Sequence, residues 1–342
     1  MTDVAAPIRE IHVAVAVIIR DGRVLIARRP DHAHQGGLLE FPGGKVEPGE
    51  TVQQALVREI AEETALAVPE VSLEPVIGIR HDYGDKRVFL DVWCTTEAAG
   101  EAVGCEGQPI AWLAPEELQD DQFPAANRPI IRALRLPSSL AITGTMTTVD
   151  GGVASLQAAL EDRKQSLQKQ TLIVLRAPEL ASDAYRAVAQ QALSVCRSAG
   201  TGLIVHGAPE RFADTSGAAG LHLPWREAAN LVSRPVPPEV WLGVSCHSAD
   251  QLAHAVEIGA DYATLGPVRA TATHPGAEGI GWDAFRELTA IANIPVFGLG
   301  GLSLKTLIVP ATRVVRALRV SGSGGRKANR YPGLWRSSLV CF

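Results

Sequence analysis

The chain has 342 residues, of which 46% are hydrophobic and 20% charged, with a formal net charge of −5. That length suits two domains of ordinary soluble composition, and the acidic balance excludes general affinity for nucleic acid or anionic membrane while allowing a local basic cluster to hold a small anion. The five cysteines, Cys94, Cys105, Cys196, Cys246 and Cys341, show no metal-ligand spacing and an odd count, so no disulfide framework is expected and a reducing cytoplasm is the expected compartment.

The first apolar run, Val13 to Ile19, is too short to cross a membrane and lacks a basic leader; it reads as a strand, with no signal peptide or transmembrane helix expected. It lies in HVAVAVIIR, followed by Asp21-Gly22 and RVLIARR, a hairpin signature. The loop FPGGKVEPGE leads into Thr51 to Thr64, where Ala55, Leu56 and Ile60 recur at helical spacing behind a Thr51 N-cap. Strands are predicted around Val76 to Ile79, Arg87 to Thr95 and Ile110 to Leu113, and a closing helix over Pro129 to Leu136. This makes a small mixed α/β unit.

Leu136-Pro137-Ser138-Ser139 reads as a linker. Beyond it LAITG, TLIVLRA, GLIVHG, GLHLP, WLGVSCH, YATLGPV and PVFGLGG are strand candidates, several separated by Ala-rich helical stretches. That rhythm predicts a parallel sheet, and seven or eight units predict a (β/α) barrel. From Lys305 to Phe342 there are eight Lys or Arg residues and no Asp or Glu, the composition of a flexible basic tail. The other reading has VVRALRV supplying an imperfect last strand. The expected divisions are 1–136, a barrel over 137–304 that is incomplete at its C-terminus, and a poorly ordered tail over 305–342.

The chemically informative stretch runs from Gly44 to Leu66. Glu50 follows Gly44 after five residues, and Arg58-Glu59-Ile60-Ala61-Glu62-Glu63 follows Glu50 after seven. On a helix Glu59, Glu62 and Glu63 are related by i, i+3 and i+4 and can project to one face, where each like-charge pair costs ~0.2–0.5 kcal/mol. A hard divalent cation relieves that repulsion and takes carboxylate oxygens as ligands. Arg58 can fix a neighbouring carboxylate, and glycines at 43 and 44 let backbone approach a bound ion.

This pattern resembles the Nudix box, G-x5-E-x7-R-E-U-x-E-E-x-G-U, with Ala65 in place of the last glycine. From His12 to Leu136 the chain is similar to the MutT-type 8-oxo-dGTP diphosphatases of that superfamily, through LIARRPDHAH, LEFPGGKVEPGE, REIAEE, EGQPIAW and DDQFPAANRPII. The resemblance implies an α/β/α sandwich in which Glu59, Glu62, Glu63, Glu106 and the Gly43 carbonyl hold Mg²⁺, with Mn²⁺ as a substitute. It implies catalysis by Glu59, Glu62 and Glu106, and support from Gly44, Glu50 and Arg58. Nucleotide contacts would come from Arg29, His34, Lys45, Lys86 and Arg87, and purine reading from Asn127. Lys86 stands where the family has an Arg, and a lysine cannot form the bidentate fork. Water would attack the β-phosphorus, releasing nucleoside monophosphate and pyrophosphate. The implied substrate is 8-oxo-dGTP, a small molecule, and the implied role is mutation avoidance.

From Leu140 to Leu304 the chain resembles the thiamine phosphate synthase/TenI group, a (β/α)8 barrel, through GVSCHS, GADYATLGPVRATATHPGA and IPVFGLGGL. The resemblance places phosphate at Thr271, Thr273, Gly300 and Gly301, and a tautomerase-type catalytic histidine at His247. The family's Q-x-R-x-K strand reads Val174-Leu175-Arg176-Ala177-Pro178, and both metal-binding Asp positions are lost. The expectation is a degenerate barrel without synthase activity, fused to a nucleotide hydrolase. The alternatives are a thiazole tautomerase-like enzyme with a housecleaning Nudix domain, and a regulatory barrel that binds a phosphorylated ligand.

Overall fold

Strand β1 (Glu10–Arg20) shows how the N-terminal domain is layered. Its side chains alternate, so Ala14, Ala16 and Ile18 join one core cluster while Val15 and Val17 join another, the period-2 consequence of a pleated strand buried on both sides. The Asp21-Gly22 turn has φ of +52° and +75°, both positive as a two-residue hairpin requires, and delivers β2 (Arg23–Arg28) antiparallel to β1. Next come β3 (Leu39–Glu40), β4 (Gly43–Lys45), α1 (Val52–Thr64), β5 (Glu74–Asp82), β6 (Arg87–Thr95), β7 (Ile110–Leu113) and α2 (Arg128–Arg135). The main sheet order is β3-β2-β1-β6-β5, with β4 paired to β1 and β7 to β2. Ala55, Leu56 and Ile60 of α1 cover one face, and Ile130, Ile131 and Leu134 of α2 cover the other. The result is an α/β/α sandwich.

The computed structural model describes residues 10–32, 35–137, 139–144, 146–164, 172–269, 278–290, 292–300 and 316–320. In the second domain β8 (Ser139–Ile142), α3 (Val149–Lys164), β9 (Leu172–Leu175), α4 (Ser182–Ser198), β10 (Gly202–His206), α5 (Pro209–Ala213), β11 (Gly220–Leu223) and α6 (Trp225–Ala228) come first. Then follow β12 (Trp241–Cys246), α7 (Ala249–Glu257), β13 (Tyr262–Leu265), α8 (Gly281–Thr289), β14 (Val296–Gly298) and β15 (Arg316–Val320). The eight strands β8 to β15 close into a barrel with every described pairing parallel. Among the described residues no helix is long and apolar enough to cross a membrane.

Two expectations need correction. Of the two readings of the segment after residue 304, the open barrel with a basic tail gives way to the last strand: Arg316–Val320 pairs with β14 on one side and β8 on the other. The basic composition misled because strand pairing uses backbone groups, which the arginines of RALRV carry like any other residue. The predicted linker is also shorter. Leu136 is 1% exposed and packs with Leu140, Val174, Ile204, Tyr262 and Phe297, so the chain passes from α2 straight into the barrel core.

Candidate active site

Thr51 starts α1 with a full capping box, its hydroxyl accepting from the Gln54 N–H at 3.2 Å while the Gln54 amide oxygen accepts from the Thr51 N–H at 3.0 Å. With Ala55, Leu56, Ile60 and Thr64 buried, the acidic residues of the last two turns are set toward β4 and solvent. Glu63 Oε2 accepts the Gly43 N–H at 3.0 Å. Glu59 lies against Gly44 so closely that a Cβ there would come within 2.1 Å of Glu59 Oε1. Any side chain at 44 would therefore displace that carboxylate. Gly43 has φ of +142°, and a Cβ on it would sit 2.2 Å from the Ala14 carbonyl oxygen.

Arg58 braces the acidic face. Its guanidinium donates to Glu50 Oε1 at 2.8 Å, to Glu59 Oε1 at 2.8 Å, to Glu62 Oε2 at 3.3 Å and to the Lys45 carbonyl at 3.3 Å. Its hydrogen bond holds the Glu50 carboxyl below the usual range. Glu62 is the outlying acid, with 59% of its side chain exposed.

Glu106 arrives from a distant loop docked on the end of α1. The Cys105 N–H and Gln108 Nε2 both donate to the Glu63 carbonyl at 2.9 Å, and the Val103 N–H donates to the Thr64 carbonyl at 3.0 Å. These bonds satisfy carbonyls that a helix end leaves without partners. Burial pushes the Glu63 carboxyl up to about 7, with Glu40, Glu59 and Glu106 adding like charge against the opposing Gly43 hydrogen bond. Among the described residues no three potential ligands are drawn into a ready metal cage. The donors are carboxylates set around a glycine cradle, which fits a hard divalent cation.

The residues expected to contact nucleotide lie on or beside β2, β4, the β5–β6 turn and the segment leading into α2. Arg29 is hydrogen-bonded to Glu40, whose own carboxyl is pushed up by burial. Burial pushes the Tyr83 hydroxyl up, against a hydrogen bond with the Ala126 backbone and the nearby charge of Arg29. Lys86 Nζ lies 5.6 Å from the Tyr83 ring centroid, whereas Arg87 is engaged with Asp82 at 2.8 Å. Asn127 is 9% exposed, and at the N-cap of α2 its side chain makes no capping hydrogen bond; the amide is not spent on the helix. Lys45 is exposed at the end of β4. His34 lies outside the described residues.

Glu40 and Tyr83 lie beside the expected nucleotide residues Arg29 and Lys86, a neighbourhood that sequence reasoning missed. Glu40 stands in LEFPGG, but only the two-residue strand β3, pairing Glu40 with Ala27, puts it beside Arg29. Tyr83 occupies a polar hairpin that gives no periodic signal.

In the barrel, His247 is exposed beyond β12 with Nδ1 3.0 Å from Gln251 Oε1. Gly300 has φ of +90° and accepts the Arg269 N–H at 3.3 Å; Thr271, Thr273 and Gly301 lie outside the described residues. The interior also holds a polar chain that sequence reasoning missed. His222 contacts Tyr262 Oη at 3.1 Å and Ser245 Oγ at 2.9 Å, and stacks on His206 with centroids 5.6 Å apart. Burial drives His206 down to about 4, with Arg176, Arg211 and Arg226 acting in the same direction, and holds His222 well below its usual value.

A family model described as NUDIX domain matches residues 14–133, and one described as thiamine monophosphate synthase matches residues 141–315. The 8-oxo-dGTP diphosphatase of Escherichia coli (strain K12) is 38% identical over 128 residues, covering 37% of this chain and 98% of that protein. The CTP pyrophosphohydrolase of the same organism is 37% identical over 123 residues, covering 36% of this chain and 90% of its own length. On the barrel side, the thiamine-phosphate synthase of Roseiflexus sp. (strain RS-1) is 32% identical over 148 residues, 43% of this chain and 61% of that relative.

Proposed function

The chain belongs to the NUDIX domain family through its first domain and to the thiamine monophosphate synthase family through its second, and from that premise we propose that the first domain converts 8-oxo-dGTP to 8-oxo-dGMP and pyrophosphate with Mg²⁺. The protein is a hydrolase of phosphorus-containing anhydrides. The observation that carries the finer reading is the pair Glu59 and Glu63, laid against Gly44 and Gly43 and braced from outside by Arg58.

Glu59, Glu63 and Glu106, with Glu62 at the rim, are the residues that would hold Mg²⁺. When bound, the cation would neutralise phosphate oxygens and acidify water. Glu59 or Glu106 takes the proton from the attacking water as its oxygen bonds to the β-phosphorus. The bridging P–O bond to the α-phosphate breaks, and both phosphate products leave. Asn127 offers one donor and one acceptor, matching the O6 and N7–H edge of 8-oxoguanine, with Arg29 and Lys86 set toward the rest of the nucleotide. Acting in the cytoplasm, the reaction keeps an oxidised precursor out of DNA. The barrel, without a synthase's acidic residues, is read as non-catalytic.

A panel of 8-oxo-dGTP, dGTP and CTP with Mg²⁺ tests this by kcat/KM. A preference for 8-oxo-dGTP is expected, and Glu59→Gln should lower pyrophosphate release by about 10³-fold. Equal rates on all three would reject the sanitising role, and a preference for CTP would move the assignment to a pyrimidine nucleotide.

A further inference from the structure

Helix α2 carries Asn127 at one end and runs into the barrel at the other. Its C-cap, Leu136, is buried in the barrel core. One turn earlier, Arg132 reaches both domains: Nη2 donates to Asp120 Oδ2 at 2.8 Å, and Nη1 lies 3.3 Å from Asp261 Oδ1. Asp261 is a firm anchor. It is 5% exposed, and its Oδ2 accepts from Arg234 Nη2 at 2.7 Å and from the Leu242 N–H at 2.8 Å.

Asp120 belongs to the segment that leads to Asn127, and its backbone carbonyl also accepts from Arg128 Nε at 3.3 Å. Its other oxygen, Oδ1, is buried without a hydrogen-bond partner. The half-buried carboxylate leans on Arg132, because its buried oxygen has no hydrogen bond of its own and would be left further uncompensated without that partner. A second joint lies at β5, where the Asn293 side chain accepts from the Arg80 N–H and donates to the Arg80 carbonyl, both at 2.9 Å.

We propose that the barrel is the positioning partner of the nucleotide site: Asp261 and the buried Leu136 hold α2, and through it Asn127, at a fixed place beside the base pocket. Asp261 is a positioning residue, acting through Arg132 and touching no substrate. What Asn127 meets rests on the hydrolase reading above; the strut itself does not. A barrel read as non-catalytic that keeps a closed ring and a buried anchor is accounted for by this service.

The test uses the full chain and two readouts. In Asp261→Asn, amide hydrogen exchange across α2 should accelerate about tenfold while β9 and β10 keep their protection. KM for 8-oxo-dGTP should rise about fivefold with kcat within about twofold, the mark of lost ground-state positioning. Should Asp261→Asn fail to fold, the double variant Asp120→Asn/Arg132→Gln is compared with Asp120→Asn, so that the arm inside the first domain is already removed and only the reach of Arg132 to the barrel differs. The double variant must then exceed Asp120→Asn in both readouts. Unchanged α2 exchange in a folded Asp261→Asn, or equal effects of those two variants, overturns the proposal. A wild-type chain that hydrolyses no triphosphate would sink the function proposed above, while exchange across α2 still decides the strut.

Discussion

Arg58 illustrates what a single side chain contributes. A planar guanidinium can serve Glu50, Glu59, Glu62 and the Lys45 carbonyl together, whereas an ammonium is one point charge on a flexible stem. Arg58→Lys should therefore keep the fold and lower kcat/KM by about 10–100-fold, since groups that orient metal-binding carboxylates are worth that much. Wild-type kinetics in the variant would show that Glu59 is placed by the Gly44 cradle alone. In the barrel, His206 makes a prediction about pH. Burial pushes it down to about 4 in the folded protein from the ordinary histidine value of 6.5, so between those values the unfolded chain binds more protons than the folded one. Stability is then complete above about pH 6.5 and is lost as pH falls toward about 4. His222, depressed in the same direction, adds to the slope. Denaturant unfolding at several pH values should show that decline, and His206→Gln should make it shallower. A slope unaltered by the substitution would place the cause elsewhere.

At the scale of elements, α1 is the piece on which the first site is built. It ends at Ala65 with φ of +58° and ψ of +11°, a left-handed conformation that costs a residue with a Cβ roughly 1–2 kcal/mol. Glycine removes that strain and gives back part of the gain as chain entropy. Ala65→Gly is thus expected to stabilise the domain by about 0.5–1 kcal/mol, seen as a higher unfolding midpoint with pyrophosphate release intact. A lower midpoint would mean that the neighbouring 98–103 segment depends on the alanine methyl.

For the whole molecule, the decisive element is β15. Without it β8 and β14 would each present an unpaired strand edge, a template for association. A chain ending at residue 304 should lose cooperative unfolding of the barrel and associate on size-exclusion chromatography. A monomer with the full-length unfolding midpoint would show that β15 is dispensable.

Local order determined much of this protein. Alternation in HVAVAVIIR, the Asp21-Gly22 turn, the helical spacing of Ala55, Leu56 and Ile60, and seven apolar barrel strands are consequences of neighbouring residues. They were legible because period and turn chemistry act over a few positions. The spacing from Gly44 to Glu63 marked the acidic face for the same reason. Tertiary structure alone decided the rest: Glu40 beside Arg29, Tyr83 beside Ala126, Glu106 on the end of α1, His222 between Ser245 and Tyr262, and Arg132 reaching Asp261. Each joins residues far apart in the chain, and nothing in a local pattern encodes which distant backbone will approach. β15 falls between the two: VVRALRV is one of two readings of the sequence, and only its pairing with β14 and β8 decides for the strand.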